Sequence, residues 1–452
     1  MKIRPRIVPR PPTIGGYSLF TRPFTTLPAF FLSTTRAYGS YVRFKNPFRN
    51  IYFVTEPAYV EETLVTKSAA FMKGRGTRRL RRLLGNGLLT AAQPEHLRHR
   101  RLAQPAFHRK RIDGYAKIMV DATRICVARW RDGDVVEVDR ETNRLALEIV
   151  ARAVFGSDLS ADMDDVSRSL DDALGTFPFA MMPFSELFDN VPIGPTRRLK
   201  GAKRRLSAIV DRRIAEHRAG GGDPDDLLSM LRGASDDDGA GMDDVQIRDE
   251  ALTILLAGHE TTANALAWTF YLLQRHPDIE EKLYAHVDAV LGERDATVAD
   301  VPQLDYVRAV FAETLRLYPP AWVTARRALQ NVEIGPYRID RGDIVIVSQF
   351  VSHRDPRYFP DPERFDPERW FGAAPPKFAY FPFGGGNRLC IGESFAWMEG
   401  ILVLATIVRR VRLGRIGSGD VDTLPLVTLR PRTPIRATVS VRARAQLQNA
   451  PV

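Results

Sequence analysis

Cys390 lies in a glycine-rich run whose composition suits an ionised thiol. The run reads Phe-Pro-Phe-Gly-Gly-Gly-Asn-Arg-Leu-Cys-Ile-Gly from residue 381 to residue 392. A thiolate is stabilised by nearby positive charge and by backbone N–H donors, and this loop supplies Arg388 and a glycine backbone. A solitary cysteine in a chain of this size is otherwise most often a small buried apolar residue. The chemistry of Cys390 therefore depends on the residues around it.

A second polar group interrupts a long apolar stretch between Asp249 and Trp268. It reads Ala-Gly-His-Glu-Thr-Thr from residue 257 to residue 262. Gly258 leaves no side chain beside it, and a threonine hydroxyl can bend a helix by bonding to an earlier carbonyl, so the pattern predicts a groove. An acid followed by a hydroxyl, Glu260 then Thr261, can hold water that passes protons to a reducible ligand. A helix N-cap is the alternative, but this group lies in the middle of an apolar helix.

Two pairs of charged residues have helical spacing. Glu313 and Arg316 lie three residues apart and face the same side of a helix, an arrangement that is commonly surface decoration. His96 and Arg100 lie four residues apart, which fits either half of a metal site or a polar helix face. The chain has 8 His and 2 Cys residues without the paired spacing of a zinc site. The sequence therefore argues against zinc.

The cysteine run resembles the haem-binding loop of the cytochrome P450 family, Phe-Gly-x-Gly-x-Arg-x-Cys-x-Gly. Every fixed position of that pattern is filled, by Phe383, Gly384, Gly386, Arg388, Cys390 and Gly392. The group at 257–262 resembles the family's oxygen-activating motif, and residues 313–316 resemble its Glu-x-x-Arg motif. The resemblance extends from about Tyr41 to Val441. It implies a mainly α fold with small β-sheets, built as one large domain.

The resemblance also implies the cofactor, haem b (iron protoporphyrin IX). Cys390 would be the axial ligand of the iron, as a thiolate that pushes electron density onto the metal and favours cleavage of an O–O bond. Phe383 would pack against its sulfur. The haem propionates would be contacted by His96, Arg100, Arg326 and Arg388.

Other residues receive catalytic and structural roles from the same resemblance. Glu260 and Thr261 would be the catalytic pair that relays protons. Glu313, Arg316 and Arg364 would form a structural cluster behind the cysteine loop. A buried carboxylate between two arginines could lock that region, since removal of one member leaves an unpaired charge.

The substrate pocket is predicted from apolar composition. Residues 176–188 are dense in Phe and Met, which form adaptable apolar linings but also occur as plain core. In the family this segment forms a mobile roof over the pocket. The candidate lining residues are Phe177, Phe179, Met181, Met182, Trp322, Val323 and Thr324. We expect an apolar substrate such as a terpenoid, a steroid or a fatty acyl chain.

The charge balance bears on partners. The chain has 65 Lys and Arg against 54 Asp and Glu, a formal net charge of +11. Such an excess can indicate nucleic-acid binding, but the densest cluster, residues 73–82, lacks interleaved aromatic residues and suits a solvated face or an acidic redox partner. No phosphate-binding loop or dinucleotide fingerprint is present. We therefore expect no nucleic acid, and electrons from a separate ferredoxin or flavodoxin type donor with its reductase.

The N-terminal region and the cysteines bear on location. Two cysteines give no disulfide framework, which favours a reducing compartment, and we expect a cytoplasmic protein. Residues 1–16 are basic and Pro-rich without the apolar core of a signal peptide. The next apolar stretch contains Arg22, Pro23 and Pro28, whereas a membrane span needs about 20 mostly apolar residues. We expect no transmembrane anchor.

The expected organisation follows from these patterns. Residues 1–40 would be a Pro-rich basic segment with a first helix, residues 41–443 the haem-binding domain, and residues 444–452 a tail. Alternation of apolar and polar residues predicts strands at 41–45, 50–55 and within 423–441. Residues 331–347 should form a hairpin with its turn at 340–343. Helical spacing predicts helices at 113–130, 140–155, 196–218, 243–275, 278–291, 305–318 and 391–410.

The sequence thus predicts a haem-thiolate monooxygenase that inserts one oxygen atom of O2 into an apolar substrate. One alternative is the same fold acting as a peroxygenase or a rearrangement catalyst, although such members usually lose the acid and the threonine. Another is a haem sensor or redox carrier, which would lack a substrate pocket. A basic nucleic-acid binder is the third.

Overall fold

The computed structural model describes residues 11–16, 19, 22–47, 49–156, 162–182, 184–220, 223, 225–236 and 238–442. The chain divides into two compact units. The first, called the sheet unit, consists of Met1–Arg78, Ala321–Arg364 and Ala374–Cys390. The second, called the helical unit, consists of Arg79–Pro320, Phe365–Ala373 and Ile391–Val452. The basic segment at 1–10 and the predicted tail at 444–452 lie outside the described residues.

Helices dominate the described chain. In chain order they are α1 (Leu27–Tyr38), α2 (Pro57–Glu61), α3 (Arg75–Leu84), α4 (Glu95–Ala103), α5 (Arg109–Val127), α6 (Val138–Phe155), α7 (Met163–Gly175), α8 (Phe177–Met181), α9 (Gly194–Arg218), α10 (Leu227–Gly233), α11 (Asp244–Leu273), α12 (Pro277–Leu291), α13 (Asp305–Leu317), α14 (Gln349–Ser352) and α15 (Glu393–Arg410). The boundary between the two units falls within α3. Every helix predicted from spacing is present, with ends that differ by a few residues.

The strands are short. They are β1 (Thr13–Gly15), β2 (Tyr41–Lys45), β3 (Ile51–Val54), β4 (Phe71–Lys73), β5 (Val135–Glu137), β6 (Thr324–Ala328), β7 (Val332–Ile334), β8 (Tyr337–Ile339), β9 (Ile344–Val347), β10 (Val411–Arg415), β11 (Thr423–Pro425), β12 (Leu429–Pro431) and β13 (Arg436–Val441). The described chain is therefore mainly α with small β-sheets, as predicted.

The sheet unit is organised around a six-stranded sheet with the order β1-β2-β3-β9-β6-β4. Its central strand β3 is buried along its whole length and pairs antiparallel with β2 and parallel with β9. Phe31 of α1 stacks on Phe53 of β3 with 4.5 Å between the ring centroids. This covered sheet fixes the position of β6, which pairs antiparallel with both β9 and β4.

The predicted hairpin at 331–347 has a different turn. β7 and β8 pair with Ile334 opposite Tyr337, so the chain reverses at Gly335 and Pro336. Gly335 has φ +55°, and a Cβ there would lie 2.5 Å from the Tyr59 ring, so glycine is required. The prediction of a hairpin turn at 340–343 is wrong, because that segment connects β8 to β9 in the other sheet.

The helical unit is built around α11, which runs for 30 residues. The Asp243 carboxylate caps its start by accepting a hydrogen bond from the Gln246 N–H at 2.7 Å. Most side chains of α11 are buried on every side, as expected of a helix that is apolar all round. α6 packs along it, and a three-stranded sheet (β10-β13-β5) and the β11-β12 hairpin complete the unit.

Two further observations bear on the sequence predictions. α13 ends at Leu317, because Tyr318 precedes a proline and is disfavoured from helical geometry. Within the described ranges, no helix combines the length and the apolar character needed to cross a membrane.

Candidate active site

The predicted site residues belong to both units. The sheet unit contains Arg326, Phe383, Arg388 and Cys390, and the helical unit contains His96, Arg100, Glu260 and Thr261. Within each unit the structure places them on a few elements. The cysteine loop and β6 carry the first set, and α4 and α11 carry the second.

The cysteine loop has two glycines in a backbone conformation that residues with a side chain rarely adopt. Gly384 and Gly386 have φ values of +77° and +66°. A Cβ at Gly386 would lie 2.2 Å from the Leu64 carbonyl oxygen, so the loop lies directly against the turn at residues 62–66. The Cys390 N–H donates to the Phe383 carbonyl at 3.0 Å, which closes the loop. The closed loop leaves the Cys390 side chain exposed.

The two cysteines occupy opposite environments. Cys126 is buried in α5, where burial raises the pKa of its thiol to about 12, with a further contribution from the Glu141 carboxylate. An inert neutral thiol is the result. Cys390 is exposed at the end of the loop. Of the two cysteines, Cys390 is therefore the one whose side chain is accessible.

A buried histidine supports the start of the loop. The Phe381 N–H donates to His353 Nε2 at 2.9 Å, and His353 has no exposed surface. The ring also lies edge-on to Phe381 and tilted against Tyr380. Sequence reasoning missed His353, because its partner lies 28 residues further along the chain.

Arg326 is a half-buried cation for which the described residues supply no acidic partner. Burial lowers the pKa of its guanidinium to about 10. Its Nη1 donates to the adjacent Ala325 carbonyl at 3.2 Å, and among the described residues no carboxylate pairs with it. Register places Arg326 opposite Val345 in β9, and Arg327 projects to the other side of the strand. A partly buried guanidinium of this kind fits an anionic ligand group.

The sheet unit also contains three predicted pocket residues. Trp322 is buried, and its indole lies edge-on to Phe24 with 6.1 Å between the centroids. Its carbonyl accepts hydrogen bonds from the Ser348 hydroxyl and the Phe350 N–H. Val323 and Thr324 are half-buried. Their role in a substrate pocket stays a prediction.

One face of α11 is open although the rest of the helix is buried. Ala257 is exposed and Thr261, one turn later, is half-buried. The Thr261 hydroxyl donates to the Ala257 carbonyl at 2.7 Å, the back-bonding that the sequence suggested. The helix is nevertheless continuous through this group. The Thr261 oxygen lies on the open face with lone pairs left to accept hydrogen bonds.

Gly258 packs against α6 on the side where its side chain would lie. A Cβ at Gly258 would lie 2.9 Å from Val150 Cγ2 of α6, so α6 fills the space that the missing side chain leaves. The groove expected from Gly258 and the threonine together stays a prediction. Glycine at this position permits close packing of two helices.

Glu260 is held by an ion pair that the sequence did not indicate. Its Oε1 accepts from Arg430 Nε at 2.6 Å and from the Thr428 hydroxyl at 2.5 Å. Glu260 is buried, and Arg430 also contacts Asp171 of α7. Burial and the positive charge of Arg430 lower the pKa of the neighbouring His259 to about 3, so that imidazole is neutral. The acid of α11 is thus fixed by residues at the β11-β12 hairpin.

Glu399 of α15 is a second buried acid. It has no exposed surface, and burial raises the pKa of its carboxyl group to about 8, opposed in part by the Thr262 hydroxyl of α11. A neutral carboxylic acid therefore lies next to the Glu260-Thr261-Thr262 group. Sequence reasoning missed it because a single Glu in an apolar helix carries no motif.

α4 places His96 and Arg100 one turn apart. His96 is buried and Arg100 is half-buried. Between them, His99 contacts Glu250 of α11, with 2.9 Å from Nδ1 to Oε1, and the Leu88 N–H donates to the other oxygen at 2.8 Å. This buried pair joins α4 to α11. The sequence did not predict this pair, although it fixes the helix that carries His96 and Arg100, the two residues predicted to contact the haem propionates.

Glu313 is the centre of a buried charge cluster. Its carboxylate accepts two hydrogen bonds from Arg316, at 2.9 and 2.8 Å, and one from Arg369 at 2.9 Å. The Trp370 indole N–H donates to it at 3.0 Å. Glu313 and Arg316 have no exposed surface, so they are not surface decoration. Arg369 had not been predicted as a member, and the predicted third member, Arg364, belongs to the sheet unit, where its role stays a prediction.

The Phe-rich segment divides between packed and exposed side chains. Phe177, Phe179 and Met181 are partly buried on α8, and Phe179 lies 6.2 Å from the Phe188 ring. Met182 is exposed. The segment is therefore not plain core, while its contact with a substrate stays a prediction.

The donors in the sheet unit suit a haem. Cys390 offers an exposed thiol on the closed loop, and Arg326 offers a half-buried positive charge for a carboxylate. Within the described ranges, no group of three or more His, Cys, Asp or Glu residues could hold a metal ion.

Comparison with known proteins gives consistent matches. The family model for cytochrome P450 matches residues 8–436. Cyclooctatin synthase of Streptomyces melanosporofaciens is 37% identical over 409 residues, which cover 89% of each chain. Cyclooctat-9-en-7-ol 5-monooxygenase of the same organism is 36% identical over 392 residues, or 85% of each chain. Pentalenene oxygenase of Streptomyces avermitilis is 33% identical over 429 residues, which cover 93% of this chain and 94% of the relative.

Proposed function

The chain belongs to the cytochrome P450 family, and from that premise we propose that it is a monooxygenase that inserts one oxygen atom of O2 into a terpenoid. The observation that carries this proposal is the Cys390 loop. Its glycines hold an exposed thiol at the end of a closed turn, and the other cysteine is buried and neutral. Cys390 would bind the haem iron as a thiolate, with Phe383 packed against it.

The remaining cofactor contacts are proposed from charge. Arg326 and Arg388 of the sheet unit, with His96 and Arg100 of the helical unit, would bind the propionates of haem b. Arg326 supports this role because it is half-buried and has no carboxylate partner among the described residues. When bound, the haem would supply the redox chemistry, and its thiolate ligand would favour O–O cleavage.

Proton delivery is proposed for Thr261 and Glu260. The Thr261 oxygen would accept a hydrogen bond from water on the open face of α11 and hold that water in place. Glu260 would exchange protons between this water and the partly exposed side of the Arg430 pair. The pair with Arg430 keeps Glu260 in a defined position next to Thr261.

The proposed substrate class is inferred from the activities that the relatives are named for and from the apolar segment at residues 176–188. One relative is named as a monooxygenase of cyclooctat-9-en-7-ol and another as an oxygenase of pentalenene. The partly buried Phe177, Phe179 and Met181 would supply an adaptable apolar lining for a hydrocarbon ring system. No fixed charge in that segment is needed for such a substrate.

Electrons would come from a separate donor of the ferredoxin or flavodoxin type with its reductase. The chain contains no phosphate-binding loop or dinucleotide fingerprint that could serve a fused reductase. An acidic donor would suit the formal net charge of +11.

A substrate screen with two oxygen sources tests the proposal. The purified haem-loaded chain is titrated with cyclic terpene hydrocarbons and alcohols, with steroids and with fatty acids, and the spin state of the iron is followed by absorbance. Compounds that shift it are incubated with O2 and a surrogate ferredoxin and reductase, or with peroxide alone. We expect a terpenoid to shift the spin state and to gain one oxygen atom from isotopically labelled O2.

Other outcomes of this screen would contradict specific parts of the proposed function. Oxygenation with peroxide but not with O2 would favour a peroxygenase, and an isomerised product without added oxygen would favour a rearrangement catalyst. Failure of every compound class to change the spin state would favour a sensor or redox carrier. A shift by fatty acids or steroids alone would contradict the terpenoid proposal and leave the monooxygenase class intact.

A further inference from the structure

A surface cleft lies between α12, α13 and the turn at Pro367–Phe371, all within the helical unit. Its volume is about 350 Å³, which falls in the lower part of the range of ligand pockets, about 300–1,000 Å³. We call it the α12–α13 cleft. It is lined by Lys282 and His286 of α12, Asp305 and Tyr306 of α13, and Glu368 and Phe371 of the turn. The proposed haem contacts, proton relay and Glu313 cluster use none of these side chains.

Two buried polar atoms of the cleft have no hydrogen-bond partner among the described residues. One is the hydroxyl oxygen of Tyr306, a residue that is only 8% exposed, and the other is His286 Nε2. Asp305 Oδ1 lies 3.4 Å from His286 Nε2, but without the geometry of a hydrogen bond. Because most buried polar groups are hydrogen-bonded, two such atoms in one cleft indicate a bound molecule, either water or a ligand.

The free polar atoms of the cleft can all accept hydrogen bonds. The Tyr306 hydroxyl and the Nε2 of a neutral His286 each have a lone pair, and the Asp305 carboxylate only accepts. Of the described lining residues, Lys282 alone carries a fixed positive charge, and its ammonium group donates to Glu368 Oε1 at 3.0 Å. A primary ammonium group has three N–H donors and no acceptor, so it complements these three acceptors.

The electrostatic potential of the cleft also favours a cation. Burial raises the pKa of the Tyr306 hydroxyl to about 12, with further contributions from the carboxylates of Glu368, Asp278 and Asp366. The hydroxyl is therefore protonated at neutral pH and lies in a negative potential. Asp305 adds a carboxylate at the first residue of α13, where it offsets the positive end of that helix. The cleft is thus locally acidic in a chain whose formal net charge is +11.

Aromatic rings form the apolar wall of the cleft. Phe371 is 52% exposed, and its ring is nearly parallel to that of Tyr306, with 6.3 Å between the centroids. The His286 ring lies 6.0 Å from the Tyr306 ring. The face of an aromatic ring attracts a cation, and the exposed Phe371 ring offers contact to an apolar group attached to that cation. An anionic ligand would be repelled by the acids, and a neutral ligand would not use them.

We propose that the α12–α13 cleft binds a small organic ammonium compound. Its ammonium group would donate to Tyr306 Oη, His286 Nε2 and the Asp305 carboxylate, and its apolar part would pack on the Phe371 ring. The proposal does not depend on the reaction that the protein catalyses, because the cleft shares no residue with the proposed haem contacts or proton relay.

Calorimetric titration of the full haem-loaded chain with 2-phenylethylammonium tests this inference. The neutral 2-phenylethanol and the anionic 3-phenylpropanoate have a similar size and serve as comparison compounds. An amine can also coordinate the haem iron, so the haem absorbance is followed in a parallel titration. Heat that follows the absorbance change belongs to the iron, and heat that does not follow it reports binding elsewhere on the protein.

Two variants and two matched controls locate the binding. Tyr306→Phe removes only the unpaired hydroxyl, and Asp305→Asn removes the charge at the start of α13. The controls are Tyr38→Phe, which changes a tyrosine that is 50% exposed, and Asp164→Asn, which removes an exposed acid from the first turn of α7.

We expect the wild type to bind 2-phenylethylammonium at the cleft with a dissociation constant below about 1 mM, and 2-phenylethanol about tenfold more weakly. Tyr306→Phe should weaken binding of the ammonium compound about tenfold, because a hydrogen bond to a charged group is lost. Asp305→Asn should weaken it about two- to fivefold, since Asp305 is exposed. Both controls should bind like the wild type. Without ligand, Tyr306→Phe should melt no lower than the wild type, because its hydroxyl has no hydrogen bond to lose.

Three results would overturn the proposal. If all the heat followed the haem absorbance, the two buried atoms would be hydrated and the cleft would bind no amine. Equal affinity for 2-phenylethanol would show that the cleft does not select a cation. Binding that is unchanged in both Tyr306→Phe and Asp305→Asn would place the ammonium compound at another site.

Discussion

The buried Glu260 carboxylate and the half-buried Arg430 guanidinium form a contact of 2.6 Å between Oε1 and Nε. The two residues lie 170 positions apart in sequence. The acid belongs to α11 and the arginine to β12, so the pair joins the central helix of the helical unit to a short hairpin. The relay that we propose for Glu260 therefore depends on a residue outside the recognisable motif.

Removal of Arg430 should destabilise the protein. An Arg430→Gln variant leaves a buried carboxylate without its cation, and breaking such a pair costs about 3–5 kcal/mol. We expect thermal melting of the haem-loaded protein to show this loss. Arg432→Gln, which removes an exposed arginine with a 3.9 Å contact to Asp422, should change stability little. Recovery of stability in Glu260→Gln/Arg430→Gln is expected, and its failure would show that the pair is not the cause.

Thr261→Ala should uncouple oxygen use from product formation. The variant removes the hydroxyl that would hold water on the open face of α11, so electrons should be diverted to peroxide while substrate still changes the spin state. The measurement is product formed per reducing equivalent, with peroxide assayed in parallel. Thr261→Ser keeps the hydroxyl and should retain coupling. Unchanged coupling in Thr261→Ala would favour the peroxygenase or rearrangement alternative.

Glu260→Gln should slow the oxygen-dependent step and leave the spin-state response to substrate intact, because the shape is kept and the ionisable group is lost. Single-turnover kinetics with O2 would measure the first effect and a substrate titration the second. If the variant lost its response to substrate, Glu260 would be a substrate contact and not a proton relay.

Cys390→Ala should lack the thiolate-type spectrum of the reduced carbon monoxide complex. Cys126→Ala should keep it, because Cys126 is buried in α5 with a thiol pKa raised to about 12. Each variant removes one sulfur atom from the chain, so the two variants serve as controls for each other. The opposite pattern of spectra would refute the ligand assignment.

The Glu313 cluster should contribute to folding and not to turnover. Glu313→Ala removes the buried carboxylate that Arg316 and Arg369 share, and Arg316→Ala removes one of its two cations. Loss of one member of a buried ion pair costs about 3–5 kcal/mol out of a typical stability of about 5–15 kcal/mol. We expect low yields of haem-loaded protein with near-normal turnover per haem. Wild-type yield and haem content would contradict this role.

Variants of Arg364 and Arg369 test which of these arginines is the second cation of the Glu313 cluster, beside Arg316. Arg369→Ala should cost more stability than Arg364→Ala, because Arg369 donates directly to Glu313 at 2.9 Å. A larger loss in Arg364→Ala would support the motif-based prediction that Arg364 is the third member. Thermal melting of the two variants decides between them.

Glu399 should make stability depend on pH. Burial raises the pKa of its carboxyl group from 4.5 to about 8, so the folded state keeps a proton that the unfolded state releases above pH 4.5. The free energy of unfolding should therefore fall as pH rises from about 4.5 to about 8, by about 3 kcal/mol at pH 7. Glu399→Gln should remove this dependence and be more stable than the wild type at pH 7–8.

Urea unfolding at several pH values measures the Glu399 effect. Glu281→Gln, which changes a largely exposed acid, is the control and should leave the pH profile unchanged. Parallel profiles for Glu399→Gln and the wild type would show that Glu399 does not titrate as proposed.

The sequence by itself determined the elements whose signals are local. The glycines and Arg388 around Cys390, the long apolar helix with Glu260 and Thr261, and the Glu313-Arg316 spacing could be recognised because each lies within one short segment. The extent of most helices also followed, since side-chain periodicity is a property of consecutive residues. Only their ends needed the structure, as at α13, where a proline sets the limit.

Tertiary structure alone decided which distant residues meet. Arg430 pairs with Glu260, Arg369 with Glu313, and His99 with Glu250, across separations that no periodic pattern encodes. β9 pairs with β3 and β6 in the six-stranded sheet and does not pair with β8, because the partners of a strand depend on long-range packing. Val150 fills the space at Gly258 for the same reason. A short motif specifies its own backbone, whereas a buried charge or cavity takes its partners from elements brought together by folding.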